Sequence, residues 1–390
     1  MNIEEIIEKV RQIMKNAIDR QASDIFIVAG RALTCKINGE MVTVGEQMMM
    51  PDETSEVIHG IYELAGKRSM DKLLTSGDDD FSFSLPGLSR FRVSTYKQRG
   101  SLAAVIRVIA FQLPDPKKLG IPDEVIHLAD FNNGLVLVTG TAGSGKSTTL
   151  ACMIDHINHT RAEHIITLED PLEFVHRHDK SIVSQREVVT DTESYITALR
   201  AALRQSPDVI LLGEMRDYET INTVMTAAET GHLIFSTLHT LGAANTVDRI
   251  IDVFPANQQR QITIQLASVL QAIVSQQLIP DVEGKQIPAF EIMVMTPAIR
   301  NMIRENKVHQ IDGVIYSSNQ TQLMSMDACL LKYYKEGRIT RETALAMQSI
   351  QICWGGSCNV IKKRKVPKWQ TEFVRKIKVV NSGIGKCVKP

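Results

Sequence analysis

No apolar stretch in this chain approaches the roughly 18 residues that a membrane span requires. Net charge is lacking too, since 44 basic residues meet 44 acidic ones, and this argues against a nucleic-acid footprint over the whole molecule. Cysteine is sparse: six are scattered along the sequence with no C-x-x-C pair and no His/Cys cluster of zinc-site spacing. A reducing cytoplasm is the expected home. The first ten residues, Met1 to Val10, have neither a basic start nor an apolar centre. Ile3, Ile6, Ile7 and Val10 instead share one face of an acidic amphipathic helix, which excludes a signal peptide.

What is present, over 390 residues, is enough for two domains with a core each. Residues 1–111 read as a small α/β domain. A helix over 3–20 precedes apolar runs at 24–28 and 33–37, joined by an Asn38-Gly39 turn. A helical region follows over 52–74. Phe81, Phe83 and Leu85 then alternate with Ser82 and Ser84 as in a half-buried strand, and 90–94 and 103–109 continue the sheet. Three prolines and a glycine between Gln112 and Pro122 give linker composition, so the boundary is placed at 112–124. Over 125–350, apolar runs at 135–138, 164–168, 208–212 and 232–236 alternate with helical stretches near 147–158, 192–204 and 217–230. That spacing predicts right-handed crossovers and a mostly parallel sheet covered on both faces. Ligands of such sheets sit at the carboxyl ends of the strands.

Four segments fall at such ends. Gly140, Thr141, Ala142, Gly143, Ser144, Gly145, Lys146, Ser147 and Thr148 form a complete phosphate-binding loop between a strand and a helix. Its glycines let backbone N–H groups turn toward a phosphate chain, Lys146 supplies a positive charge, and Ser147 can ligate Mg²⁺. The second segment ends in Glu169, Asp170 and Glu173; alone, such a segment is ordinarily a solvated acidic turn. The third runs Val209 to Leu212 and then Gly213-Glu214, as in a magnesium-supporting strand. The fourth carries His232 at the start of a strand and His239 beyond its end. Single histidines there are ordinarily satisfied core or surface residues, but a pair beside Ser, Thr and a phosphate site suggests a γ-phosphate sensor. Arg92, Arg99 and Arg107 are candidates to offset charge on the leaving phosphate, and equally read as surface arginines.

With these residues in view, the chain resembles the ATPases of type II secretion and type IV pili, and within them the PilT-type pilus retraction ATPases. The four segments match that family's Walker A, Asp box, Walker B and His box, and the likeness covers about residues 1–347. The resemblance implies an N-terminal PAS-like α/β domain before a RecA-like P-loop ATPase core, assembled as a homohexamer with ATP sites between one core and the neighbouring first domain. It implies ATP and Mg²⁺ as ligands, with Glu169 as base, Glu214 supporting the metal, His232 and His239 sensing the γ-phosphate, and Arg92, Arg99 and Arg107 reaching in from the neighbour. Spacing leaves the roles of Glu169 and Glu214 exchangeable. The resemblance also implies an inner-membrane platform protein as partner, twitching motility as outcome, no nucleic acid, and a cytoplasmic chain peripheral to the membrane.

Ala298, Ile299, Arg300, Asn301, Met302, Ile303, Arg304 and Glu305 resemble the AIRNLIRE motif of the retraction branch. Chemically they form an amphipathic helix, with Ile299, Met302 and Ile303 expected inward and Arg300, Arg304 and Glu305 outward. Thr141-Ala142 and Phe26 depart from the family's usual residues, as does the basic, Trp-containing tail at 351–390, which is read as a frameshifted or foreign terminus, with a disordered lipid-docking tail as the rival. The competing functions are an accessory nucleotide-binding ring subunit of low turnover, an extension or secretion motor, and a nucleic-acid translocase.

Overall fold

The computed structural model describes residues 2–37, 39–109, 113–318 and 322–348. The 351–390 tail, Asn38 of the expected turn and Gln112 of the expected linker lie outside these residues.

The N-terminal part is α1 (Ile3–Asp19), β1 (Ala22–Ile27), β2 (Ala32–Ile37), β3 (Glu40–Met48), α2 (Pro51–Leu64), α3 (Asp71–Ser76), β4 (Asp78–Leu85), β5 (Ser89–Gln98) and β6 (Ser101–Ile109). The expected single helical region over 52–74 is two helices, parted at Gly66, whose φ of 78° a helix cannot hold. The six strands pair in the order β3-β2-β1-β6-β5-β4, antiparallel throughout. One face is apolar: Ile25, Ile27, Phe91, Val93 and Ile106 pack beneath Val10 and Met14 of α1 and Ile58 and Ile61 of α2. The other is polar. Cross-strand partners share a face, and a row runs across it from Lys36 through Asp24, Arg107 and Arg92 to Ser82.

The rest comprises α4 (Pro116–Leu119), α5 (Asp123–Ile126), a 3-10 turn (His127–Asp130), β7 (Gly134–Thr139), α6 (Lys146–Thr160), β8 (His164–Glu169), β9 (Ile182–Glu187), α7 (Tyr195–Ala202), β10 (Val209–Leu212), α8 (Tyr218–Glu229), β11 (Leu233–Leu238), α9 (Ala243–Asp252), α10 (Ala256–Val269), β12 (Leu270–Pro280), β13 (Gln286–Val294), α11 (Pro297–Arg304), α12 (Ile311–Ser317), β14 (Leu323–Met324), α13 (Met326–Lys335) and α14 (Arg341–Met347). Its eight strands run β14-β13-β12-β7-β11-β10-β8-β9. Strands β12 through β9 are parallel, and β13 and β14 extend the sheet antiparallel. The expected mostly parallel sheet in a mixed α/β chain is therefore present.

Alternation along β7 sorts the core into two layers. Leu135 and Leu137 face a layer with Leu199, Val224, Ile250 and Leu266 from α7, α8, α9 and α10. Val136 and Val138 face Leu150, Met153 and Ile157 of α6. With both faces covered, only strand ends are open to ligands. Among the described residues no helix is long and apolar enough to cross a membrane.

Candidate active site

The loop after β7 is shaped by contacts from β12. A Cβ built on Gly140 lies 2.2 Å from the Gln276 carbonyl oxygen, and one on Gly145 lies 2.8 Å from Gln276 Nε2. Gly145 is also left-handed (φ 87°), which starts α6 by turning the chain sharply into its first turn. Gln276 Oε1 accepts a 2.8 Å hydrogen bond from Thr149 Oγ1, so one side chain braces both loop and helix. Gln276 lies in a strand the sequence reading did not assign, and its bracing role went unread.

Lys146 is 8% exposed, and its Nζ donates to the carbonyls of Gly140 (2.9 Å) and Thr141 (2.8 Å). Burial holds its ammonium below the usual lysine range, while Glu214 and then Glu173 push the other way. No described carboxylate forms an ion pair with it. The Ser144 hydroxyl beside it is buried without a hydrogen-bond partner. A buried cation held only by neutral carbonyls, an orphaned hydroxyl and the unbonded N–H groups of a helix start make a cradle for an anion. These residues fit a polyphosphate. Ser147 and Thr148 are partly exposed on the first turn of α6.

Glu214 follows β10, two strands from β7. Its side chain is 12% exposed, ion-paired with Arg216, and 3.3 Å from His239 Nε2. Thr237 fixes the approach: its hydroxyl donates to the Gly213 carbonyl at 2.6 Å. Glu169 ends β8, one strand farther out, about 14 Å from β7 by strand spacing. Burial pushes its carboxyl up to about 7, against hydrogen bonds from Thr167 Oγ1 (2.7 Å) and Gln185 Nε2 (3.5 Å). Tyr195 of α7 lies near both acids. Its hydroxyl sits against Gly213, and burial together with Asp170, Glu214 and Glu169 drives it well above the ordinary phenol range, so it stays a neutral donor. Tyr195 carries no signal of this kind in the sequence, because its place arises from the packing of α7 against the end of β10.

His239 is in this site and His232 is not. β11 runs parallel to β7 in register from Leu233↔Gly134 to Leu238↔Thr139. His232 therefore lies at the opposite edge of the sheet, about 20 Å along the strand, with its Nδ1 2.9 Å from the Ala227 carbonyl oxygen. The expectation that both histidines flank the phosphate is corrected for His232: seven residues along an extended strand cannot converge on one point, and only His239 stands beside Glu214.

The three arginines remain on the N-terminal sheet. Arg92 and Arg107 sit on its polar face, Arg107 paired with Asp24 at 3.0 Å, and Arg99 occupies the exposed β5–β6 turn. None makes a hydrogen bond or ion pair to its own loop, Glu169 or Glu214. Their neighbour Arg90 instead crosses between the sheets. Its Nη2 donates to Glu187 Oε2 at 2.8 Å, and Ser82 donates to Glu187 Oε1 at 2.7 Å. Glu187 is the register partner of Glu169, so the N-terminal sheet docks one strand from that carboxylate.

The helix of 298–305 is largely as expected: Ile299 and Ile303 are buried in the core layer, Met302 packs against it, and Asn301, Arg304 and Glu305 are exposed. Arg300 is the correction. Its guanidinium donates to the carbonyls of Ala267 (2.7 Å) and Ser268 (3.0 Å) and to Gln271 Oε1 (2.9 Å), capping the C-terminus of α10 rather than pointing outward. Since β12 starts beside the start of β7, this helix lies at the sheet edge opposite the phosphate loop.

A model of the type II/IV secretion system protein family matches residues 2–288. The chain belongs to that family. The type IV pilus retraction ATPase PilT of Pseudomonas aeruginosa is 42% identical over 335 residues, covering 86% of this chain and 96% of its own length. A twitching motility protein of Neisseria gonorrhoeae is 43% identical over 310 residues, covering 79% of this chain and 82% of its own. Among solved structures, that of the pilus retraction motor PilT with bound ADP matches with a TM-score of 0.79 at 46% identity, covering 87% of this chain and 97% of that one. The Legionella pneumophila ATPase DotB, also alike in fold, matches at 0.74 with 26% identity, covering 87% and 95%. Within the secretion family, the resemblance to PilT-type retraction ATPases is thus borne out.

Proposed function

We propose that this chain is a Mg²⁺-dependent ATP hydrolase working as a type IV pilus retraction motor. Its parts are a PAS-like first unit (1–111), a linker (112–124) and a RecA-like core with C-terminal helices (125–350). The observation that carries the reading is Lys146, a nearly buried ammonium without a described ion-pair partner at the mouth of a glycine loop, with His239 after the adjacent strand β11 and Glu214 after β10, one strand farther.

ATP is the substrate, its phosphates taken by residues 140–148. Ser147 and Glu214 would hold Mg²⁺, which when bound offsets charge on the terminal phosphates. Glu169 acts as the base that orients the attacking water, since a carboxyl raised to about 7 is poised to take a proton near neutral pH. His239 senses the terminal phosphate. Arg92, Arg99 and Arg107 make no hydrogen bond or ion pair to their own loop, Glu169 or Glu214, which supports their delivery to a neighbour's site and hence a homohexamer. The exposed side of α11, with Asn301 and Arg304, is the surface offered to an inner-membrane platform protein on the cytoplasmic side.

Steady-state hydrolysis against protein concentration tests this reading, with Glu169→Gln and Glu214→Gln beside the parent. Turnover per chain that rises with concentration and disappears in both variants is expected. Background turnover with ATP still bound would favour an accessory ring subunit. For the retraction surface, Arg304→Glu should abolish twitching while sparing hydrolysis; equal loss of both counts against a dedicated role. Arg300 is a poorer probe, because its removal also uncaps α10.

A further inference from the structure

Folding assembles a cluster that sequence spacing hides. His127 and Asp130 stand three residues apart on the 3-10 turn before β7, and His156 comes from α6. His127 Nδ1 is 2.8 Å from Asp130 Oδ2, and His156 Nε2 is 2.9 Å from Asp130 Oδ1. The three ligand atoms lie within 4.8 Å of one another. We propose that His127, Asp130 and His156 bind a divalent transition-metal ion of the zinc class.

Ligand atoms about 2.1 Å from a tetrahedral zinc stand about 3.4 Å apart, so side-chain swings of about an ångström close the set. His127 and Asp130 are half exposed or more and free to make them. Two imidazoles and one carboxylate suit zinc, whereas Mg²⁺ prefers an all-oxygen shell. The fourth position is open to water: a cleft of about 510 Å³ reaches the cluster, with Asp123 and Glu124 on its wall adding negative charge. The nearby cation, Arg161, does not occupy Asp130. It donates to the carbonyls of Ala129 and Phe131 at 3.0 Å and pairs with Glu163.

His156 is ten residues after Lys146, about 15 Å along α6, so this site is separate from the one that would take Mg²⁺. A bound ion would tie the turn that feeds β7 to the helix that leaves the phosphate loop. The inference stands on the cluster alone and does not depend on the chain hydrolysing ATP.

The test is Co²⁺ and Zn²⁺ binding to the full chain in excess Mg²⁺, comparing the parent with Asp130→Asn, His127→Ala and His156→Ala. The expected result is one equivalent of Co²⁺ with visible d–d absorption and no thiolate band. Affinity should fall at least about 10-fold in each variant, and Zn²⁺ should raise the melting temperature of the parent only. His127 and Asp130 are surface groups, so metal-free melting should be nearly unchanged in their variants, which separates lost ligation from lost fold. No uptake, equal uptake by parent and variants, or a thiolate band marking a cysteine site would each overturn the proposal.

Discussion

The N-terminal sheet spends one face on its own helices and leaves the other as a row of charged and polar side chains, whereas the eight-stranded sheet is apolar on both faces. The difference decides where chemistry can sit. A sheet buried on both sides can offer only its strand ends, and the phosphate loop, Glu214, Glu169 and His239 all lie there. A sheet buried on one side can offer a whole face, and Arg90, Arg92 and Arg107 use it. Ser82 shows the two meeting. It points to the polar face yet is only 9% exposed, because the core strand end at Glu187 covers it.

The largest test of this contrast is packing. Phe235 is fully buried between β11 and α6, so Phe235→Ala should destabilise the chain by about 3–5 kcal/mol in denaturant unfolding. Arg92→Ala on the open face should stay within about 0.5 kcal/mol. A large loss at Arg92 would mean that face is already packed in the isolated chain. Lys146→Ala should leave the fold intact but lower kcat/KM by about 10²–10³-fold, the cost of removing one preorganised charge from a developing anion.

Next is the bridge between the sheets. Glu187→Ala leaves Arg90, 14% exposed, without its counter-charge, and should cost about 2 kcal/mol. A double-mutant cycle with Arg90→Ala should show coupling above about 0.5 kcal/mol; additive losses would make the bridge incidental. The smallest effect is on pH. A base must be ionised, so with Glu169 raised to about 7, turnover should climb with a midpoint near that value. A flat profile from about pH 6 to 8 would pass the role to another group. The same raised value means that the group's contribution to stability is fully present below its ordinary 4.5 and is lost as pH rises through about 7.

Much of the core was readable because its signals are local. An apolar run followed by Gly140–Ser147 specifies strand, tight turn and helix within a dozen residues, and β8, β10 and β11 announce themselves as continuous apolar runs. Strand β9 was not readable: Ile182-Val-Ser-Gln-Arg-Glu187 sits at the sheet edge and carries an edge strand's polar residues. β13 and β14 extend the sheet antiparallel, and such an extension has no local mark in the sequence. Asp217, three residues past Glu214, caps α8 by accepting from Thr220 N at 2.9 Å.

The sequence by itself determined the anion cradle, the parallel core and the apolar stripe of α11, since each follows from backbone freedom or hydrophobic period over a few residues. Only the tertiary structure decided that His239 and not His232 joins the site, that Arg300 caps a helix, that Gln276 braces the loop, that Tyr195 lies between the ends of β8 and β10, and that His127, Asp130 and His156 meet. Those outcomes depend on strand register and on which ends of distant elements coincide. Both are set by burial summed over the whole sheet, and no short window of sequence carries that sum.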